Sequence, residues 1–365
     1  MRILVFANFG LGLYKFRKEL LEKLISNNDE IFVSLPYDDF VPLIEDLGCK
    51  YIRTEFNRKG KNPFADLKLL KEYRKIIKEK KPELVLTYTV KPTVYGGMAC
   101  QMEGVNYVVN ITGISAGVEN GGLLSRIMML LYKLGLRKAT KVFFQNQANL
   151  DYFLSKRVIN SEYEIIPGSG VNLKQYQMYD FPNDNNIEFA YIGRITEAKG
   201  IDYYLKAAEV IKNRHSNTIF NVCGSFDEEE YRQKIEEYEK KGVIVYQGVV
   251  NDMKTIYKKI QCTVHPTFYA EGMSNVLLES LASGRPIITT DRPGCREIVD
   301  DHINGFIVKQ KDLDDLVEKI ELFLSLSNEE RKQMGINGRE KVEKQFDRNI
   351  VIDRYCEVID RLRKQ

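Results

Sequence analysis

Two glutamates, Glu271 and Glu279, have the spacing in this 365-residue sequence that most clearly points to chemistry. A glycine directly follows the first, and an apolar run from Val276 to Leu278 precedes the second. The pattern predicts a helix that begins near Ser274, and the free amide groups of its first turn favour an anion. Carboxylates beside that anion can accept hydrogen bonds from hydroxyl groups. A ligand with a diphosphate between two sugars fits this pattern, because the glutamates would lie about 12 Å apart along a helix.

The residues between the two glutamates are predicted to contact the same ligand. Gly272 allows a turn without a Cβ atom, and Ser274 or Asn275 is predicted to cap the helix. The candidate ligand-binding residues of this segment are Gly272, Met273, Ser274, Asn275 and Glu279. A capped amphipathic helix also occurs in proteins without such a ligand, so a purely structural segment is the alternative.

A second segment contributes positive charge. Gly193, Arg194 and Lys199 lie in a loop between a predicted strand, residues 187–192, and a helix that begins near Ile201. In an α/β fold such a loop lies at the carboxyl end of the sheet, where ligands bind. Arg194 is predicted to bind phosphate as a planar fork and Lys199 as a point charge. A solvated pair of surface cations is the alternative.

These two segments together resemble the donor site of the retaining glycosyltransferases of family 4, also called glycosyl transferases group 1. That family has the α/β fold termed GT-B, in which two Rossmann-like domains have parallel sheets that face each other across a cleft. The resemblance implies that Arg194, Lys199 and Glu271 are the catalytic residues. It assigns Glu271 to the transferred sugar, Glu279 to the ribose, and the two cations to the leaving diphosphate.

A closer similarity links the chain to bacterial enzymes that build capsules and lipid-linked oligosaccharides, including N-acetylgalactosaminyltransferases. It rests on residues 8–17, 55–58, 62–64 and 168–173. It implies transfer of a hexose or N-acetylhexosamine from a UDP-sugar to a saccharide on undecaprenyl diphosphate. A UDP-sugar 2-epimerase of the same fold and a noncatalytic partner subunit are the rival interpretations. The spacing of the two glutamates and the basic first domain argue against the epimerase, and the presence of both glutamates and both cations argues against the partner subunit.

The resemblance implies neither a cofactor nor a metal ion. The one Asp-x-Asp sequence, Asp312 to Asp314, is predicted to cap a surface helix rather than to bind a cation. Positive charge from Arg194, Lys199 and the helix start would instead neutralise the leaving diphosphate.

The first half of the chain is predicted to bind the acceptor. Gly10 and Gly12 follow the first strand, where backbone amides can approach a donor or acceptor phosphate; a simple tight turn is the alternative. Arg17, further along the helix, is predicted to approach the acceptor phosphate, or else to be solvated.

Three further residues are assigned to the acceptor side. Many relatives have a histidine in the loop after the third predicted strand, but this chain has histidines only at 215, 265 and 302. That role is therefore predicted to be vacant or to pass to Lys91 or Tyr88. Thr112 and Gly113, after the next strand, are predicted to shape the acceptor pocket. His265 is predicted to be a structural histidine with its polar atoms satisfied, and a place beside the donor is the alternative.

Length and hydrophobic pattern predict two domains. The chain is 44% hydrophobic, and its short apolar runs alternate with amphipathic helices, as in parallel sheets. Ten strands are predicted, near 2–7, 30–35, 83–87, 106–110, 141–144, 187–192, 218–223, 243–246, 261–264 and 286–289. The predicted domains are 1–175, for the acceptor, and 176–347, for the sugar nucleotide. A helix over 348–365 is predicted to cross back to the first domain.

Charge and composition predict where the protein acts. Residues 1–175 have 26 Lys and Arg against 18 Asp and Glu, whereas the remainder has 28 against 33. The excess is concentrated at 58–61, in the helix over 68–81 and at the ends of an apolar segment, 126–138. That last segment is typical of a helix in an anionic membrane interface, or of a core helix with solvated ends. We expect a cytoplasmic enzyme on the inner face of the plasma membrane, with reduced cysteines and no nucleic-acid partner.

Overall fold

The computed structural model describes residues 1–58, 60, 62–114, 118, 121–183 and 185–364. The chain divides into two compact units, Met1–Ser169 with Asn349–Gln365, and Gly170–Arg348. The first boundary thus lies a few residues before position 175. Lys59 and Lys61 of the basic segment and Asp184 lie outside the described residues.

The described part of the first unit has a seven-stranded parallel sheet. Its strands are β1 (Arg2–Phe6), β2 (Glu30–Leu35), β3 (Lys50–Arg53), β4 (Leu84–Tyr88), β5 (Asn106–Ile111), β6 (Lys141–Phe144) and β7 (Tyr163–Ile165). Their spatial order is β3-β2-β1-β4-β5-β6-β7. The central strands are apolar runs that are buried on both faces, as expected where helices cover a parallel sheet.

Helices cover both faces of this sheet. They are α1 (Gly10–Ser26), α2 (Val41–Asp46), α3 (Pro63–Lys80), a π-helical turn (Pro92–Gly96), α4 (Gly97–Glu103), α5 (Gly122–Leu136) and α6 (Gln147–Ser155). Helix α3 shows how the sequence fixes a start: the Asn62 side chain accepts hydrogen bonds from the amides of Phe64 and Ala65, and Pro63 occupies the first turn. No helix of the described residues is both long enough and apolar enough to span a membrane.

The second unit has a six-stranded parallel sheet in its described residues. Its strands are β8 (Ile187–Ile192), β9 (Thr218–Cys223), β10 (Val245–Gly248), β11 (Cys262–His265), β12 (Ile287–Thr290) and β13 (Gly305–Val308). Their order is β10-β9-β8-β11-β12-β13.

The helices of the second unit are a 3₁₀ turn (Glu197–Lys199), α7 (Ile201–Arg214), α8 (Glu230–Lys240), α9 (Lys254–Tyr257), α10 (Asn275–Ala282), α11 (Leu313–Ser325) and α12 (Asn328–Gln345). The Asp312 side chain accepts a hydrogen bond from the Asp315 amide at the start of α11, which confirms the predicted cap. A last helix, α13 (Arg348–Arg363), buries Tyr355 and Ile359 in the core of the first unit.

In each sheet, the order in which the chain adds strands reverses at one point, the switch point. The order reverses between β1 and β4 in the first unit and between β8 and β11 in the second. Ligands bind α/β sheets at the carboxyl ends of strands beside such a switch point. The loops after β8 and β11 contain the predicted donor residues, and those after β1 and β4 contain several of the acceptor residues.

Candidate active site

Lys199 and Glu271 form an ion pair between the loops that follow β8 and β11. The two side chains are only 13% and 15% exposed, so water screens the pair far less than a surface salt bridge. Residues 72 positions apart in sequence thus meet at the switch point of the second sheet. The two residues predicted to hold opposite parts of the donor are each other's partner.

Close backbone packing holds the two loops together. The Phe268 amide donates a hydrogen bond to the Ala198 carbonyl at 2.9 Å. Gly200 has a φ of +78°, and a Cβ atom there would lie 2.0 Å from the Pro266 carbonyl oxygen. A glycine is therefore required at this position, both by the left-handed backbone and by the approach of the other loop.

Arg194 lies beside the same tyrosine ring as Lys199. Its Nη1 atom is 2.5 Å from Asp227 Oδ2, and its carbonyl accepts a hydrogen bond from the Tyr191 hydroxyl. The Tyr269 ring lies beside both cations, with its centroid 5.5 Å from the Arg194 guanidinium carbon and 4.9 Å from Lys199 Nζ. Tyr269 therefore keeps two positive charges close to each other at a ring face that favours them.

Helix α10 begins beside this cluster. Ser274 is at the N-cap position, but its side chain makes no capping hydrogen bond, unlike the prediction. The Asn275 side-chain oxygen is buried and has no hydrogen-bond partner among the described residues. The first turn of α10 thus lacks a side-chain cap from either residue, which leaves its amides suited to an anion.

A loop after β12 supports the Glu-Gly turn. The Ser274 amide donates to the Gly294 carbonyl at 2.8 Å, and Glu297 accepts a hydrogen bond from the Gly294 amide. Gly294 has a φ of +88°, and a Cβ atom would lie 2.7 Å from the Gly272 carbonyl oxygen. The backbone around Glu271 is therefore held by direct contact with Gly294.

The remaining donor candidates have different surroundings. Met273 is buried in a core cluster with Leu277 and Cys295, so its side chain has a packing role. Glu279 lies near the hydroxyls of Tyr176 and Tyr257. Burial is the main cause that raises the pKa of both tyrosines, and the Glu279 carboxylate adds to it. Both hydroxyls keep their protons and can orient this carboxylate.

His265 differs from its predicted state. It ends β11 and is 1% exposed, yet neither ring nitrogen has a hydrogen-bond partner among the described residues. Burial, with a smaller contribution from the charge on Lys199, lowers its pKa to about 3. The prediction of a satisfied structural histidine was therefore wrong: this is a neutral imidazole with unpaired nitrogens close to Lys199.

In the first unit, other side chains lie close against the two glycines of α1. The Gly10 amide donates to Asp38 Oδ2 at 2.6 Å, so a protein carboxylate already lies at the start of this helix. A Cβ atom on Gly10 would lie 2.4 Å from Asp38 Oδ1, and one on Gly12 would lie 2.4 Å from the Phe9 ring.

The other acceptor candidates differ in their partners and in their exposure. Lys91 is paired with Asp66 at 2.6 Å, and the Tyr95 hydroxyl donates to the same carboxylate. Thr112 is exposed and Gly113 half-buried; both lie just before residues 115–117, which are outside the described part of the chain. Arg17 is 4% exposed on α1, with its guanidinium carbon 5.1 Å from the Tyr88 ring centroid.

Several residues that build the site were not predicted. They are Tyr176, Asp227, Tyr257, Tyr269 and Gly294. Tyr269 and Gly294 had a local signal, an aromatic residue two positions before Glu271 and a Pro-Gly turn directly after a strand. The other three come from distant segments, and only the folded chain brings them to the site. Within the described residues, no group of three or more His, Cys, Asp or Glu is placed to hold a metal ion.

The two units have the Rossmann-like fold of the GT-B class. HepE from Anabaena, solved in complex with UDP, superposes with a TM-score of 0.81 at 17% identity, over 99% of this chain and 100% of that one. The model of the glycosyl transferases group 1 matches residues 179–341, and that of the glycosyl transferase 4-like domain matches residues 2–146. The chain belongs to the glycosyl transferases group 1, family 4 of the glycosyltransferases.

Two curated relatives are similar to the chain over most or all of its length. The N,N'-diacetylbacillosaminyl-diphospho-undecaprenol alpha-1,3-N-acetylgalactosaminyltransferase of Campylobacter jejuni is 26% identical, with 100% of each chain covered. The capsular polysaccharide biosynthesis glycosyltransferase CapM of Staphylococcus aureus is also 26% identical, over 79% of each chain.

Proposed function

We propose that this enzyme transfers a hexose or N-acetylhexosamine from a UDP-sugar to a saccharide carried on undecaprenyl diphosphate, in the assembly of a bacterial surface glycan. The observation that carries the donor half is the Lys199–Glu271 pair beside the uncapped start of α10. The acceptor half is supported by the Campylobacter relative, which acts on a diphospho-undecaprenol saccharide and matches the chain from end to end. UDP, present in the HepE structure, is the first nucleotide to test.

The residues divide the donor between them. Lys199 and Arg194 bind the diphosphate together with the first amides of α10, and Glu279 accepts hydrogen bonds from the ribose. Glu271 accepts hydrogen bonds from the transferred sugar. Because Lys199 already contacts Glu271, one lysine links the sugar and the phosphate subsites.

The reaction breaks the bond between the anomeric carbon and the phosphate oxygen and forms a bond from that carbon to an acceptor hydroxyl. The acceptor proton passes to the leaving phosphate, which departs on the same face, so that the anomeric configuration is retained. Fixed positive charge at Arg194, Lys199 and the helix start stabilises the negative charge on UDP as it leaves. We propose that this charge replaces a divalent cation.

A membrane surface is the second part of the proposal. Helix α5 buries Met129, Tyr132 and Leu136, but the opposite face carries exposed apolar side chains. These are Leu123 at 75% exposed, Ile127 at 47%, Leu130 at 58% and Leu134 at 40%. The basic residues Arg126, Lys133, Arg137 and Lys138 flank them and are also exposed. Apolar residues with basic neighbours suit an anionic lipid interface, where a polyprenyl-linked acceptor would be found.

Binding measurements test the donor assignments. Titration calorimetry with UDP and with UDP-sugars compares wild type with Glu279→Gln and Glu271→Gln. We expect Glu279→Gln to lower the affinity for UDP itself about tenfold, as for a lost hydrogen bond to a charged group. We expect Glu271→Gln to weaken UDP-sugars more than UDP. Equal effects of the two variants on both ligands would contradict the division of the donor.

Transfer assays test the chemistry. Activity should persist in EDTA, and NMR of the purified product should show the anomeric configuration of the donor. Loss of activity in EDTA with recovery on adding a divalent cation would overturn metal independence. An inverted product would overturn the same-face mechanism.

A further inference from the structure

Arg17 is a buried cation that has no anionic partner within the residues that the structure describes. Its side chain is 4% exposed, and no carboxylate lies within ion-pair distance among the described residues. Nη1 donates to the Phe16 carbonyl at 2.7 Å, while Nε is buried and has no hydrogen-bond partner among those residues. A buried positive charge is costly unless it is paired and fully hydrogen-bonded, so this arginine needs an explanation.

Another buried arginine shows the usual solution. Arg285 is fully buried, and its three guanidinium nitrogens donate to the carbonyls of Tyr257, Tyr179, Gly284 and Asp180. Each of the three guanidinium nitrogens of Arg285 thus has a backbone partner within the core. Arg17 has a similar degree of burial, but only one such bond joins it to the described part of the chain.

The neighbours of Arg17 do not neutralise it. Burial raises the pKa of Tyr88 well above its ordinary value, so the ring beneath the guanidinium stays uncharged. Asp66 is the partner of Lys91, and Asp38 accepts a hydrogen bond from the Gly10 amide.

The position of Arg17 is that of a ligand-binding residue. Tyr88 ends β4, which lies beside β1 at the switch point of the first sheet. Directly after these strands, the side-chain oxygens of Asn8 and Thr89 are buried and also lack partners in the described chain. Thr89 has a φ of +71°, a conformation that β-branched residues rarely adopt and that is found at functional sites.

We propose that Arg17 binds a phosphate group of a substrate, and that this group belongs to the diphosphate of the lipid-linked acceptor. This inference rests on the proposed function for the identity of the acceptor. The planar guanidinium suits bidentate binding of phosphate oxygens, and the donor diphosphate already has Arg194 and Lys199 in the second unit. Arg17 would thereby let the enzyme distinguish diphosphate-linked saccharides from free ones.

The test compares one saccharide in two forms, linked to a polyprenyl diphosphate and linked to an uncharged alkyl chain. We expect wild type to have a lower KM for the diphosphate form, on the order of ten- to a hundredfold. Arg17→Gln should remove this preference and leave the uncharged acceptor and the affinity for UDP unchanged. Arg17→Lys should keep part of the preference, and Lys23→Gln, an exposed change on the same helix, should keep all of it.

A binding assay separates this inference from the proposed function. With UDP at saturation to occupy the donor site, farnesyl diphosphate should bind wild type more tightly than Arg17→Gln, while farnesol should not distinguish them. This result would support the inference even if no saccharide acceptor reacted. Equal binding of farnesyl diphosphate by both proteins, or equal loss of both acceptors in Arg17→Gln, would overturn it. Weaker UDP binding with an intact acceptor preference would place the phosphate on the donor and overturn the acceptor assignment.

Discussion

Replacing Lys199 by methionine should separate the stabilising role of the Lys199–Glu271 pair from its role in transfer. Both side chains are mostly buried but not fully, at 13% and 15% exposed. Breaking the pair should therefore cost about 2 kcal/mol, between the values for surface pairs and for fully buried ones. That loss corresponds to a fall in Tm of roughly 4 to 8 °C for a unit of this size.

The effect on turnover should be larger than the effect on stability. Lys199 faces charge that develops on the leaving phosphate, and removing one preorganised donor of this kind lowers kcat on the order of 10² to 10³-fold. The affinity for the UDP-sugar should change less, because the ground state needs the lysine less than the transition state does.

The double variant Lys199→Met with Glu271→Gln tests whether the effects on stability and on turnover are separate. It removes both charges, so Tm should recover much of the loss, whereas kcat should stay low because the phosphate still has no lysine. Scanning calorimetry and single-turnover transfer assays provide the two readouts. Near-normal kcat in Lys199→Met, or recovery of kcat along with Tm in the double variant, would show that the lysine serves only the fold.

Three further changes test other parts of the account. Gly200→Ala forces a Cβ atom against the Pro266 carbonyl. Because of this backbone strain, it should lower the free energy of unfolding by more than about 2 kcal/mol in urea titrations. A neutral effect would contradict the contact between the two loops. The pKa of His265 is depressed in the folded chain, so the unfolded chain takes up a proton first, and stability falls as pH drops from about 6.5 towards 3. His265→Leu should flatten the dependence of stability on pH by up to about 1.4 kcal/mol per pH unit. Identical slopes for the two proteins would count against a neutral buried imidazole. Leu130→Glu should weaken sedimentation with phosphatidylglycerol vesicles while leaving transfer to the alkyl-linked acceptor intact, and unchanged sedimentation would exclude this face of α5.

The strands that the sequence did not predict share one property. All three, β3, β7 and β13, lie at sheet edges, whereas the central strands were found as apolar runs. Edge strands such as β3 and β7 are short and partly exposed, so their residues lack the continuous apolar pattern of a buried parallel strand. At another edge, β10 begins two residues later than predicted. The lack of an apolar pattern thus explains why β3 and β7 were missed, whereas β13 is a buried apolar run and has no such explanation.

The sequence identifies the charged residues of the candidate site but not how they pair. Arg194, Lys199, Glu271 and Glu279 were identified because cations in a strand-to-helix loop and carboxylates around a helix start have known chemistry. Nothing local in the sequence indicates that Lys199 pairs with Glu271, since this depends on the approach of two distant loops.

The lack of a hydrogen-bond partner is even harder to predict from sequence than a specific pairing. Neither the ring nitrogens of His265 nor Nε of Arg17, which lack partners among the described residues, have a sequence signal, because a lack of partners depends on every neighbouring element. These two residues appear only once the strands and helices around them are in place.

The most direct test of the central claim is product mass. The purified enzyme would be incubated in EDTA with a panel of UDP-sugars and a polyprenyl-diphosphate-linked saccharide, and the lipid fraction analysed by mass spectrometry. The account predicts a gain of one hexose or N-acetylhexosamine that disappears in Lys199→Met. An unchanged lipid together with an altered free UDP-sugar would contradict it and favour an epimerase.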